Sequence, residues 1–232
     1  MRPRERSHAA GLLDAQIVAH QCEPCIVVMP DSEFRHKRYG RKGFEHDLFT
    51  DIIPLIERTY RVRTDADSRA IAGLSMGGFY SIEIGLNHLD RFRWIGVFSA
   101  GLRSGFVTAD DITGLGVNSK QAVSRLKLFY VRIGTKDFFL PDARRLDRWL
   151  AQKSVPHLYQ EVEGTHELPV WERALADFTP ASSNPALCEE ARSASAVCSA
   201  VQPALCRFCR AGGGWEPGSE QGTAQNRVRN CR

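Results

Sequence analysis

Short apolar runs alternate with longer amphipathic segments over residues 25–180 of this chain. The apolar runs have the length of buried parallel strands, and the segments between them repeat apolar residues at helical spacing. A chain that alternates in this way can bury its apolar surface by placing helices on both faces of one sheet. The pattern therefore predicts an α/β fold with a mostly parallel, doubly wound sheet.

The strands and helices can be placed along the sequence. We predict strands at residues 25–29, 70–73, 94–99, 128–133 and 157–162, and helices at residues 44–60, 77–89, 142–153 and 170–178. Residues 101–125 interrupt the alternation with Gly, Ser, Thr and Asp. Because ligands bind beyond the carboxyl ends of the strands in such sheets, we expect this excursion and residues 31–42 to line a pocket.

Composition divides the chain into two parts. A chain of 232 residues with 43% hydrophobic content can bury one substantial core. Residues 181–232 are rich in Ala, Ser, Gly and Cys and carry no convincing periodicity. We therefore predict one α/β domain over residues 1–180 and a poorly ordered tail over residues 181–232. A small cysteine-based module and a partner-binding arm are the alternatives for the tail.

The charge distribution argues against two classes of partner. The formal net charge of +4 is spread along the sequence, without the basic stripe of a nucleic-acid-binding protein. Residues 1–6 are charged, and no run of about 18 apolar residues follows them anywhere in the chain. We therefore expect no signal peptide, no membrane contact and a cytoplasmic location.

The cysteines suggest a metal site that their spacing does not favour. Cys22 with Cys25 and Cys206 with Cys209 form two Cys-x-x-Cys pairs, which together could supply four thiolates to zinc. Structural zinc pairs usually sit much closer in sequence than these two do. Pro24 and the apolar run that follows indicate a strand entry at the first pair. We expect no metal ion in this protein.

The segment Gly73-Leu74-Ser75-Met76-Gly77 joins a predicted strand to a predicted helix. Gly-x-Ser-x-Gly in this setting is typical of a nucleophile elbow, a sharp turn that pushes the serine clear of its own backbone. Small residues on either side let the neighbouring chain pass close, which gives Gly73 and Gly77 a steric reason to be glycine. The alternative is an ordinary strand-to-helix turn in which Ser75 caps the helix.

A serine nucleophile needs a base to take its proton and an acid to orient that base. In α/β-hydrolases the three residues occur in the order Ser, Asp or Glu, His. Asp137 follows the predicted strand 128–133, and His166 lies on the loop after the predicted strand 157–162. Both side chains would then leave the sheet at the same edge as Ser75. The alternatives are a turn-forming aspartate and a solvated loop histidine.

Other histidines and aspartates fit these roles less well. His88 lies near a helix end, where histidines commonly interact with the helix carboxyl terminus. His157 begins a strand and so belongs to the opposite edge of the sheet. Asp142 and Asp147 are expected at a helix N-cap and on a helix surface. The remaining histidines precede Ser75 and break the chain order; they are His8, His20, His36 and His46.

Three blocks of the sequence carry a resemblance to a known family. They are IVVMPD at residues 26–31, the segment from residue 44 through RAIAGLSMGG at residues 69–78, and GTKD at 134–137 with GTHELPVW at 164–171. Over roughly residues 10–180 the chain resembles the putative esterase family of α/β-hydrolases. That family includes feruloyl and acetylxylan esterases, enterochelin esterases, S-formylglutathione hydrolase and mycolyltransferases.

The resemblance implies roles for named residues. Ser75 would be the nucleophile, Asp137 the triad acid and His166 the general base, and Trp171 would pack beside the histidine. The Met76 amide would be one oxyanion-hole donor. Family members normally begin with further strands and a His-Gly loop that supplies a second donor, and a lost donor typically costs about 3 kcal/mol of transition-state stabilisation. Two interpretations follow: an N-terminally shortened esterase whose opening strands are missing, or an atypical member with its second donor elsewhere.

These residues together lead to a functional hypothesis. We expect a serine carboxylesterase that acts through an acyl-enzyme on a small-molecule or carbohydrate-linked ester and needs no metal or organic cofactor. A catalytically silent α/β domain that binds a partner is the alternative from another class. Acyl transfer to a sugar and peptide cleavage are the alternatives among enzymes.

Overall fold

The centre of the molecule is a five-stranded sheet. A computed structural model describes residues 9–30, 42–115, 123–183 and 226–229. The strands follow one another in chain order across the sheet: β1 (Ala70–Leu74), β2 (Trp94–Phe98), β3 (Leu128–Gly134), β4 (His157–Val162) and β5 (Asn226–Arg229). Strands β1 to β4 are parallel, and β5 runs antiparallel to β4. The predicted α/β fold with a mostly parallel sheet is confirmed.

Helices precede and connect the strands. They are α1 (Ala9–Val18), α2 (Gly43–Asp47), α3 (Ile53–Thr59), α4 (Met76–Asn87), α5 (Leu140–Gln152) and α6 (Leu168–Ser183). The predicted helix 44–60 is one helical stretch in which a π-helical turn, Leu48–Ile52, joins α2 to α3. Short 3-10 turns occur at Ala66–Ser68 and Ala109–Asp111.

Both faces of the sheet are buried, which explains why the inner strands are apolar at successive positions. On one face, odd-numbered residues of β2 and β3 such as Val97 and Phe129 pack against α4 and α5. On the other face, even-numbered residues such as Phe98 and Tyr130 pack against α6. Side chains alternate between the faces of a strand, so both the odd- and the even-numbered positions of β2 and β3 are largely apolar. Arg132 is the charged exception in β3.

The strand predicted at residues 25–29 is wrong. Residues 23–30 form no regular secondary structure, and the four side chains from Ile26 to Met29 are 41–68% exposed. A strand needs a neighbour to accept its backbone hydrogen bonds, and in the described sheet β1 is the end strand, paired with β2. The apolar run at residues 25–29 predicts a buried segment, but the described residues leave it exposed.

Two aspartates also lie elsewhere than predicted. Asp142 and Asp147 are buried within α5, with only 1% and 5% of their surface exposed, and are not surface or N-cap residues. Asp142 pairs with Arg103 and Arg145, and Asp147 Oδ1 lies 3.0 Å from Nε2 of His157. Burial is tolerated because each carboxylate has a guanidinium or imidazole partner.

Several predictions concern residues outside the described ranges. They include residues 31–41 and 116–122 of the expected pocket segments, Cys206, Cys209 and residues 184–225 of the predicted tail. Strand β5 lies within that tail and was not predicted. Within the described ranges, no helix is long and apolar enough to cross a membrane.

The turn between β1 and α4 is packed against its own backbone. A Cβ atom at Gly73 would lie 2.2 Å from the carbonyl carbon of Gly77, so no larger residue fits there. At Gly77, by contrast, an added Cβ would meet nothing within 4 Å. The predicted steric requirement therefore holds for Gly73 and not for Gly77, whose backbone is the surface that Gly73 approaches.

A buried polar network ties β3 to α6. Arg132 on β3 pairs with Asp177 on α6, and its guanidinium also donates to the hydroxyl of Tyr130 at 3.1 Å. That hydroxyl donates in turn to Gln160 on β4 at 2.9 Å. Burial raises the pKa of the Tyr130 phenol well above its ordinary value, which keeps it protonated and able to donate. The network fixes β3, β4 and α6 relative to one another.

We predict that Asp177→Ala lowers the free energy of unfolding by about 1–3 kcal/mol, because it leaves the buried Arg132 guanidinium without its carboxylate. Asp177 is itself half exposed, so the loss is smaller than for a fully buried pair. Urea denaturation checks this. Asp90→Ala, at an exposed aspartate, is the control and should change stability by less than about 0.5 kcal/mol. Equal midpoints for the two variants would contradict the proposed tie.

We predict opposite results for alanine at the two glycines of the turn. Gly73→Ala should lower the free energy of unfolding by at least about 3 kcal/mol, because the new methyl group overlaps backbone that cannot move away. Gly77→Ala should be neutral or stabilise by up to about 1 kcal/mol, since it lies in α4 and alanine favours helix. Urea denaturation of both variants tests the difference. Similar losses for both would show that the close approach is not the constraint.

Candidate active site

Ser75 lies in a strained turn at the carboxyl end of β1. Its φ angle is +52°, in the left-handed region that non-glycine residues seldom adopt. The Ser75 N–H donates to the carbonyl of Phe98 at 2.9 Å, so the parallel pairing of β1 with β2 continues one residue into the turn. The side chain makes no cap hydrogen bond to α4. The alternative of a helix-capping serine therefore does not apply.

Asp137 lies in the loop after β3, as predicted. The backbone N–H of Lys136 donates to the carbonyl of Gly164 at 2.9 Å, which holds this loop against the loop after β4. Gly134 makes the approach possible, because a Cβ atom there would lie 2.4 Å from the Gly164 oxygen. The Asp137 carboxylate is buried and accepts a hydrogen bond from the N–H of Phe139 at 2.8 Å. That bond fixes the carboxylate with its second oxygen toward the neighbouring loop.

His166, on the loop after β4, lies between the other two predicted residues. Its Nδ1 is 2.9 Å from Asp137 Oδ2, and its Nε2 is 2.9 Å from Ser75 Oγ. An ionised carboxylate can only accept, so Nδ1 carries the proton and Nε2 is left as an acceptor for the Ser75 hydroxyl. The structure thus brings Ser75, His166 and Asp137 into one hydrogen-bonded chain. A neutral imidazole protonated on Nδ1 is the form that can remove a proton from serine.

Three aromatic side chains surround the His166 ring. The ring centroids of Phe138, Phe139 and Trp171 lie 4.4, 5.4 and 5.0 Å from it. Trp171 contacts the imidazole edge to face, which is the packing role expected of it. Sequence analysis missed the two phenylalanines, although they directly follow Asp137. These contacts restrict rotation of the imidazole. They therefore favour the one orientation in which both ring nitrogens keep their hydrogen bonds.

The Met76 amide begins helix α4 immediately after Ser75. The first N–H groups of a helix have no intrahelical acceptor and point beyond its amino terminus. The helix dipole adds partial positive charge at the same place. An oxygen that gains negative charge beside Ser75 Oγ would be stabilised there, so the Met76 N–H remains a predicted oxyanion-hole donor.

The competing histidines lie elsewhere. His88, directly after α4, has its Nε2 2.7 Å from Glu45 Oε1. His157 is buried at the amino end of β4, where its Nε2 is 3.0 Å from Asp147 and its Nδ1 is 2.8 Å from the Val155 carbonyl. Neither is part of the Ser75 chain of hydrogen bonds.

The first cysteine pair, Cys22 and Cys25, lies within the described residues. Cys22 is buried and Cys25 is exposed, and both are free thiols. Partial burial of its sulfur and the adjacent Cys22 raise the pKa of the Cys25 thiol, which lowers the fraction present as the nucleophilic thiolate. Among the described residues, no group of three or more His, Cys, Asp or Glu side chains could hold a metal ion.

Comparison with curated proteins gives relatives that are named esterases. Over 99 residues the chain is 33% identical to an endo-1,4-beta-xylanase/feruloyl esterase of Xylanibacter ruminicola, which covers 40% of this chain and 14% of that protein. Over 156 residues it is 22% identical to an acetyl esterase of Caldicellulosiruptor saccharolyticus, covering 55% of this chain and 59% of the relative. The chain therefore spans less than two thirds of the length of these relatives.

The fold is shared with a solved esterase structure. A ferulic acid esterase superposes with a TM-score of 0.65 at 23% identity, over 78% of this chain and 79% of that one. The model of the Putative esterase family matches residues 8–181, and this range is more than half of the 232 residues. The chain belongs to the Putative esterase family.

Proposed function

We propose that this protein is a serine carboxylesterase that cleaves its substrate through an acyl-enzyme. The observation that carries the proposal is the chain of two 2.9 Å hydrogen bonds from Ser75 through His166 to Asp137. A serine in a strained turn, a histidine in the tautomer that accepts its proton and a buried carboxylate are the parts that acyl transfer requires. Membership of an esterase family supports the same reaction class.

In the first half of the reaction, Ser75 Oγ attacks the ester carbonyl carbon while His166 Nε2 takes the hydroxyl proton. The carbonyl π electrons move to the oxygen, and the Met76 N–H donates to that oxyanion. Collapse of the tetrahedral intermediate breaks the bond to the leaving oxygen, which receives the proton from His166. The products are a free alcohol and an ester of Ser75.

In the second half, a water molecule replaces the alcohol. His166 Nε2 takes a proton from the water as its oxygen attacks the acyl carbon, and returns that proton to Ser75 Oγ when the acyl bond breaks. Each imidazolium that forms lies 2.9 Å from the ionised Asp137 carboxylate. That carboxylate is fully buried, so its attraction for the imidazolium is little weakened by solvent.

The relatives suggest the class of ester. One is named as a feruloyl esterase and the other as an acetyl esterase, and the similar solved structure is named as a ferulic acid esterase. We therefore propose a small-molecule or carbohydrate-linked ester of a small carboxylic acid as the substrate.

We predict that Ser75→Ala reduces hydrolysis of p-nitrophenyl acetate by about 10⁴-fold or more, because the nucleophile is lost. Ser154→Ala, at an exposed serine in the turn before β4 and so at the opposite edge of the sheet, is the control and should retain the wild-type rate. Circular dichroism and thermal melting establish that both variants are folded. Equal rates for Ser75→Ala and wild type would overturn the proposal.

The second His–Asp pair supplies a matched control for Asp137. We predict that Asp137→Asn lowers kcat by roughly 10²–10⁴-fold, because an amide cannot hold the required tautomer or stabilise the imidazolium. Asp147→Asn makes the same change beside His157 and should leave kcat per folded molecule near the wild-type value. The measurement is kcat for both variants, corrected for the folded fraction. Equal losses after this correction would show that the effect is not specific to the pair at Ser75 and would contradict the role of Asp137.

A further inference from the structure

An exposed aromatic side chain lies beside the proposed general base. Phe138 is 64% exposed, although it directly follows the buried Asp137. Its ring centroid lies 4.4 Å from that of His166, with 41° between the ring planes. His166 Nε2 is in turn 2.9 Å from Ser75 Oγ. A large apolar surface is therefore open to solvent next to His166, the residue that contacts the nucleophile.

The Phe138 ring is held from behind by other rings. Its centroid also lies 4.4 Å from that of Phe139, which is buried and contacts Phe79 and Phe106. The guanidinium of Arg103 covers the Phe139 ring at 5.2 Å. Phe139 is thus enclosed, whereas the side of Phe138 away from these rings is left open. A ring supported in this way loses little conformational freedom when a ligand covers it.

A second exposed apolar side chain flanks the nucleophile. Met76, directly after Ser75, is 40% exposed. Methionine is flexible and makes favourable contacts with aromatic rings through its sulfur. Phe138, which contacts His166, and Met76, which follows Ser75 in the chain, thus give two exposed apolar side chains beside residues of the proposed catalytic chain. Apolar surface of this kind gains free energy when a ligand removes it from water.

We propose that Phe138 is a specificity-determining residue that stacks against an aromatic ring of the ester substrate. The proposal rests on the serine esterase activity proposed above. Aromatic pairs prefer offset-stacked or edge-to-face geometry and gain from it beyond the area they bury, which an aliphatic chain does not. The ring can belong to the acid or to the alcohol half of the ester, since the chemistry of stacking is the same for both.

The test compares three esters. Methyl cinnamate carries a ring in the acid, benzyl acetate carries one in the alcohol, and methyl butyrate carries none. For Phe138→Ala we expect kcat/KM to fall about 2- to 12-fold further for one of the two aromatic esters than for methyl butyrate, mainly through KM. The ester that shows the excess loss identifies which half of the substrate bears the ring.

Further variants separate recognition from support of His166. Phe138→Tyr keeps the aromatic face and should keep the preference, whereas Phe138→Leu keeps apolar bulk and should lose it. Tyr60→Ala removes another exposed aromatic side chain and should change none of the three rates. If Phe138→Ala lowers all three values of kcat/KM by one common factor, the residue only shields His166 and the proposal is wrong.

The failure of this inference differs from failure of the proposed function. If the wild type hydrolyses methyl butyrate and Ser75→Ala does not, the esterase proposal stands, whatever the results for the Phe138 variants. Hydrolysis that persists in Ser75→Ala overturns the esterase assignment, and the specificity proposal falls with it.

Discussion

Parallel pairing of β1 to β4 is the constraint on which the site depends. In a parallel sheet all carboxyl ends lie at one edge, so the residues that follow β1, β3 and β4 must emerge close together. Ser75 follows β1, Asp137 follows β3 and His166 follows β4. Residues separated by 91 positions, such as Ser75 and His166, are thereby brought within hydrogen-bond distance.

Backbone hydrogen bonds extend the sheet into the loops that carry the site. Ser75 donates to Phe98, Thr135 donates to Val162 and Lys136 donates to Gly164, each just beyond the end of a strand. These bonds transmit the rigidity of the sheet to the loops, so the hydrogen-bonded chain has little freedom to open. The side-chain network around Arg132 and Asp177 adds a second attachment, between β3 and the helix that follows His166.

Local sequence signals were sufficient for most of the sheet and for the position of the three site residues. These features can be recognised in a single sequence, because they depend on local motifs and on chain order. They are the elbow motif, the strand-helix alternation and the order of Ser75, Asp137 and His166. Exposure of residues 26–29 could not be predicted, because burial of an apolar run depends on whether a strand lies beside it. The burial of Asp142 depends on Arg103, a residue distant in sequence. Strand β5 carries no apolar pattern, and only its pairing with β4 defines it.

Trapping of the nucleophile tests the central claim most directly. A fluorophosphonate reacts covalently with a serine only when that serine is activated by its neighbours, and peptide mapping by mass spectrometry identifies the modified residue. We predict one phosphonyl group per folded molecule, located on Ser75, formed much more slowly in Asp137→Asn and absent from Ser75→Ala. A folded wild-type protein whose Ser75 resists the reagent would contradict it and would favour a catalytically silent binding domain.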